Sequence, residues 1–290
     1  MKKKKIALAT LAGAIMLGTG AANAAYQPDD YGIFRSVFNP TFRTMQNEWA
    51  VQAGFAFQTG SNKTGSNQIS IAGGDFDVGD VKVAYGVLDE LYVSIDVYRN
   101  TFEVNPFTGS FMIGSFANPE IGINWQIMRP AKSFALDLIG KYGLAWTIDQ
   151  PTGQRIGMNN LQAGLRIYGD EGKFQWAAQA LGQWVSIPDS AAFTDNSMWN
   201  LLMKAEIEFE IIKTVALKAE GNYNIYNLAK DTGEAMIYDR NALLGVVVDV
   251  SPGAAIMPYV SYHFQTANSE DSDTLPNNFW QIGAKFGMQF

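Results

Sequence analysis

The feature that most constrains this chain is an alternation of apolar and polar residues, with period two, that recurs segment after segment from Trp49 to the last residue. From Trp49 the odd positions read Trp49, Val51, Ala53, Phe55 and Phe57, and the even ones Ala50, Gln52, Gly54, Ala56 and Gln58. Successive side chains of a strand point to opposite faces, so each such segment is expected to fold as a strand with one apolar and one small or polar face. The same split recurs around Val83, Val93, Ile123, Leu138, Leu165, Ala178, Ala205, Ala219, Val246, Val260 and Ala284, which gives about twelve strands. No apolar run beyond residue 24 approaches the roughly 20 residues of a spanning helix, so any membrane-crossing structure in the rest of the chain has to be built of strands.

The connections alternate in length. Tight turns fall near residues 88–90, 129–132, 169–172, 212–213 and 251–254, and long polar stretches separate them. Short turns on one side and long loops on the other, with both termini on the periplasmic side, are the pattern of an all-β, antiparallel, up-and-down transmembrane barrel of about twelve strands. A soluble β-sandwich requires neither this alternation nor an export signal.

An export signal is present. Met1 and four lysines precede an apolar run from Ile6 to about Leu17 that closes on Ala22, Asn23 and Ala24, so residues 1–24 are expected to be cleaved after Ala24. The organisation read from the sequence is a signal over 1–24, a periplasmic leader or plug segment over 25–46, and the barrel over 47–290. Tyr31, Phe34, Phe38 and Phe42 surround Pro40 in the middle segment, which is aromatic for a free tail yet interrupted for a helix. All seven tryptophans lie on the apolar parity. Trp146, Trp184, Trp199 and Trp280 fall toward the outer ends of their strands and Trp49, Trp125 and Trp176 toward the periplasmic half, as two aromatic girdles would.

The last strand carries Phe286, Met288 and Phe290 in phase and ends on that aromatic residue, with Lys285 between Gly283 and Gly287 where a glycine is common. It resembles the C-terminal recognition strand of the bacterial outer-membrane β-barrel superfamily. The resemblance implies delivery by periplasmic chaperones, insertion by the barrel-assembly machinery, and residence among the lipids of the outer membrane of a Gram-negative cell.

If the apolar parity faces lipid, the other parity lines a lumen. It holds Lys82, Asp96, Glu120, Asp137, Lys141, Arg166, Lys204, Glu206, Glu208, Glu210, Lys218, Glu220, His263 and Lys285. Closing the tight turns predicts Lys82 opposite Asp96, Glu120 opposite Lys141, Glu206 opposite Lys218 and Lys204 opposite Glu220. A two-residue shift of the last hairpin would instead set Glu206 against Glu220, a like-charge pair that cross-strand contacts disfavour. These charges either pair off to hold register or form a charged constriction, and the run Glu206, Glu208, Glu210 points to cation preference.

Other chemistry is sparse. The chain has no cysteine and one histidine, so neither a thiolate metal site nor a cofactor is expected. Losing the four signal lysines leaves 17 basic against 28 acidic residues, a net charge of −11 that argues against a nucleic-acid partner. Asp75, Asp77 and Asp80, and separately Glu270, Asp271 and Asp273, resemble calcium ligands only in part, since neither run follows a full calcium loop. The second long loop is apolar, with Phe102, Phe107, Phe111, Met112, Ile113 and Phe116. The function expected is passive diffusion of small hydrophilic solutes through a narrow, porin-like, charged lumen, and the chain is not expected to be an enzyme. The alternatives are a structural or adhesive surface barrel with a closed lumen and, third, a membrane hydrolase using His263.

Overall fold

The computed structural model describes residues 36–64, 67–70, 75–77, 81–99, 103–105, 110–112, 116–131, 134–143, 159–186, 197–226, 236–268 and 278–290. The export signal, residues 25–35, Trp146, Asp80, the acidic run 270–273 and Phe102, Phe107 and Ile113 of the second loop lie outside the described residues.

Twelve antiparallel strands form the wall: β1 (Trp49–Thr64), β2 (Val81–Leu88), β3 (Leu91–Arg99), β4 (Phe116–Ala131), β5 (Phe134–Gly143), β6 (Asn159–Glu171), β7 (Phe174–Ser186), β8 (Ser197–Ile212), β9 (Val215–Tyr226), β10 (Met236–Ser251), β11 (Ala254–Asn268) and β12 (Asn278–Gln289). Each pairs with its neighbours in chain order, and β12 returns to pair with β1 from Ala50↔Gln289 to Ser61↔Asn278. Among the described strands, closure leaves no unpaired edge, the condition for strands to sit in hydrocarbon. Two short strands, Asn67–Ser70 and Asp75–Asp77, extend the wall beside β1, and Glu103–Asn105 pairs with Ser110–Met112 as a separate small hairpin in the second loop.

The alternation sorts as the sequence predicts. Ile123, Trp125, Trp199, Leu244, Trp280 and Ile282, all on the apolar parity, are at least half exposed on the outer surface. Asp96, Glu120, Asp137, Glu206, Glu208 and Lys218, on the other parity, are buried inside. Phe290 closes the cylinder, since its amide donates to the Trp49 carbonyl at 3.0 Å and its carbonyl accepts from the Trp49 amide at 2.8 Å. Phe286 stacks on Phe55 of β1, with ring centroids 5.9 Å apart.

The hairpin registers correct three of the four expected pairs, on two of the three hairpins. Lys82 does lie opposite Asp96, but Glu120 faces Gly143 rather than Lys141. Glu206 faces Glu220, Glu208 faces Lys218 and Lys204 faces Asn222. The shift is two residues in both hairpins, and each contains register irregularities near its turn, between Gln126 and Ala131 and between Glu210 and Ile212, that the spacing alone does not reveal. The like-charge pair is tolerated because lysines lie diagonally across it, within reach of long side chains. Lys218 Nζ is 2.8 Å from Glu206, and Lys204 Nζ is 3.0 Å from Glu220 and 3.6 Å from Glu206.

Candidate functional site in the barrel lumen

The periplasmic half of the lumen is occupied by the chain itself. Residues 36–46 enter as two successive reverse turns, Asn39 N to Ser36 O and Phe42 N to Asn39 O, both at 2.9 Å, with the Asn39 carboxamide oxygen also accepting from the Thr41 amide at 2.8 Å. The inward wall residues around them are mostly small. Val37 and Phe38 pack in one buried cluster with Ala50, Ala84, Tyr92, Ala216, Val247, Ala255 and Met257, and Phe42 leans against it. At Asn47 the backbone takes a left-handed turn (φ 63°), which asparagine tolerates, and the chain passes into β1. Two glycines make room: a Cβ on Gly287 would collide with the Val37 side chain, and one on Gly86 with the Met45 carbonyl.

Polar contacts fix this segment to the wall. Arg43 is its main anchor: Nη1 donates to Asp137 Oδ1 at 2.6 Å and to the Tyr168 hydroxyl at 3.2 Å, Nη2 donates to the Glu90 carbonyl at 2.7 Å, and the guanidinium lies 5.7 Å from the Tyr92 ring centroid. Asp137 is fully buried, and removing one partner of such a pair typically costs about 3–5 kcal/mol because the other charge is stranded. Asn39 Nδ2 donates to Glu208 Oε1 at 3.1 Å. Two lumen cations reach the segment's backbone, Arg166 donating to the Pro40 carbonyl and Lys218 to the Phe38 carbonyl, while Gln52 donates to the Val37 carbonyl at 2.9 Å. Beside Phe42 and Thr44, between Gln52, Lys82, Ala84 and Tyr92, a cavity of about 30 Å³ remains, room for a water or two.

Above the segment the lumen changes character. Asp96 is flanked by Lys82 at 4.0 Å and Lys141 at 3.4 Å, and Lys141 also reaches Glu120 at 3.6 Å, so the expected Glu120–Lys141 pair forms diagonally. Glu120 accepts from Gln162 at 2.8 Å. From β6, Arg166 meets Glu206 of β8 at 3.2 Å, joining the Lys204–Glu206–Glu220–Lys218 group. Amides line the wall further out. Asn200 donates to Gln183 at 2.9 Å, and His263 sits between Asn241 (2.6 Å) and Gln281 (3.1 Å). Lys285 Nζ lies 5.5 Å from the Tyr259 ring centroid.

The residues predicted to line the lumen therefore face it, but they divide by role. Arg166, Glu206, Glu208 and Lys218 form or support the cradle for residues 36–46. Lys82, Asp96, Glu120, Lys141, Lys204, Glu220, His263 and Lys285 belong to the wall above. Sequence reasoning missed Asn39 and Arg43, whose partners lie 169 and 94 residues away. It also missed the apolar inward residues Ile139, Leu181, Leu243 and Met257, all buried.

A closed, twelve-stranded antiparallel cylinder, apolar outside and polar within, is a transmembrane β-barrel of the bacterial outer-membrane type. No family model and no curated protein matches the sequence. Among solved structures, the chain is similar to the COG4313 outer membrane channel from Pseudomonas putida F1, with a TM-score of 0.56 and 9% identity over 91% of this chain and 99% of that one. It is also similar to the KdgM porin in complex with disordered oligogalacturonate (TM-score 0.47, 10% identity, 82% of this chain and 98% of that one). A third is the CymD monoaromatic hydrocarbon channel (TM-score 0.45, 9% identity, 85% and 89%). At these identities the likeness is one of fold.

Proposed function

We propose that this protein is an outer-membrane channel for passive diffusion of small hydrophilic solutes, in which residues 36–46 act as a plug that leaves a narrow path along the wall. The observation that carries this reading is the outer half of the lumen, where the side chains of Lys82 and Lys204 remain about a third exposed (32% and 33%) among inward-facing amides. Ammonium groups keep that exposure only in a hydrated space, and a water-filled lumen that narrows onto a plug is the form of a restricted pore. The similar structure from Pseudomonas putida F1 is itself named a channel. We infer that chaperones and the barrel-assembly machinery deliver the chain to the outer membrane, where its apolar face meets lipid.

The test is single-channel recording from the mature protein refolded into a planar bilayer, with folding checked by heat-modifiable gel mobility. Small discrete steps are expected. Folded, inserted protein that shows no steps, either intact or lacking residues 25–44, would overturn the channel reading and favour a barrel with a shut lumen.

A further inference from the structure

We propose that four lysines, Lys82, Lys141, Lys204 and Lys285, form a ring at one level of the lumen that selects small anions, so that the channel conducts negatively charged solutes in preference to cations. The inference rests on the channel reading above and names its solute class.

The ring follows from the register. Lys82 connects through directly opposed pairs to Asp96, Glu120 and Gly143, which lies two residues outward of Lys141 on β5. From Lys141 the pairs run through Gln162 and Gln183 to Asn200, four residues outward of Lys204 on β8. From Lys204 they run through Asn222, Asn241 and His263 to Phe279, six residues outward of Lys285 on β12. Lys285 faces Gly54, two residues outward of Gln52, which faces Lys82. One circuit of twelve strands is therefore displaced by two, four, six and two residues, fourteen in all. In a tilted barrel this stagger is how a level path climbs across the strands, about 1.2 residues per strand here. The four lysines keep within about two residues' rise of that path and stand two to four strands apart around the wall.

Four carboxylates share the belt, Asp96, Glu120, Glu206 and Glu220, equal in number to the ring lysines, and Arg166 (3.2 Å) and Lys218 (2.8 Å) also engage Glu206. Selectivity then depends on which sign projects into the water. The carboxylate side chains are only 8–11% exposed and are drawn back onto their cations, whereas Lys82 and Lys204 are 32% and 33% exposed and Lys141 18%. A solute at this level meets ammonium hydrogens, three donors per lysine, rather than carboxylate oxygens. Rings of one projecting charge set ion preference in channels. Glu206, Glu208 and Glu210, which in sequence point to cation preference, are all buried, and Glu206 and Glu208 are engaged by Lys218 and Asn39.

The experiment is the reversal potential of the protein in a planar bilayer under a potassium chloride gradient, for the intact mature chain and for Lys82→Gln, whose one ion pair among the described residues is the long contact with Asp96. The intact protein is expected to reverse toward the chloride potential. Lys82→Gln, with unchanged heat-modifiable mobility, is expected to lower the chloride-to-potassium permeability ratio about twofold, and Lys82→Arg to preserve it. Steps that reverse toward the potassium potential would overturn the lysine ring and leave the channel standing. An unaltered ratio in Lys82→Gln would remove Lys82 from it. Absence of steps with or without residues 25–44 would overturn the channel reading, and this inference with it.

Discussion

The two halves of this lumen are built from the same alternating strands but follow opposite rules. Toward the periplasm the inward residues are mostly small, Ala216 and Val247 are completely buried, and the charges Asp137, Glu208 and Lys218 each bond to a residue of the inserted segment. Toward the outside the inward residues include Lys82 and Lys204, which stay about a third exposed, among amides of which Asn160, Gln162 and Asn200 are buried. A barrel of about twelve strands is too wide for its own side chains to fill and narrower than an open porin. The contrast shows an irregular segment filling one half, and on the channel reading proposed above the other half stays hydrated.

Removing the filling should have the largest effect. Deleting residues 25–44, which keeps the turn at Asn47 and the whole wall, is expected to raise single-channel conductance several-fold, since pore size grows with unfilled lumen. Unchanged conductance would mean that the segment does not limit flow. Weakening its anchor comes next. Arg43→Ala strands the buried Asp137 and is expected to cost about 3–5 kcal/mol, read as a lower temperature for the heat-modifiable shift on gels. Arg43→Met with Asp137→Leu should recover most of that loss, because a buried ion pair and an apolar pair of similar volume are often equivalent. If the double variant is no better than the single, the stability of this half does not rest on that pair.

Crowding the segment should act more gently. Gly287→Val places a side chain where Val37 sits, and a modest rise in conductance is expected, reversed by adding Val37→Gly. The smallest perturbation tests only the wall. Because the chain has no cysteine, Ile207→Cys with Ala219→Cys, which face each other directly, should crosslink on oxidation, whereas Ile207→Cys with Leu217→Cys should not. The reverse result would restore the register in which Glu206 faces Lys218.

The wall was legible in the sequence because lipid on one side and water on the other impose period two on every strand, from Trp49 and Phe55 to Phe286 and Phe290. Which residues face inward followed from that parity alone. Register did not, since a two-residue slip preserves parity, and long side chains such as Lys204 and Lys218 reach a diagonal partner as readily as a direct one. The deciding irregularity between Glu210 and Ile212 is a backbone feature with no residue signature. The segment around Arg43 has no period to read. Its trace in the sequence was indirect: small inward residues close to the periplasmic turns, Ala50, Ala84, Ala135, Ala216, Ala255 and Gly287, leave a volume that the wall cannot fill.

Thiol accessibility tests the division of the lumen most directly. Thr44→Cys, nearly isosteric and at a position 1% exposed within the inserted segment, is compared with Asn222→Cys on the wall above it, both in protein inserted into bilayers and exposed to a small water-soluble maleimide. The account predicts prompt modification of Asn222→Cys and protection of Thr44→Cys, with both modified alike once the protein is unfolded in denaturant. Equal modification of the two in the folded barrel would contradict it, because residues 36–46 would then lie outside a lumen open along its whole length.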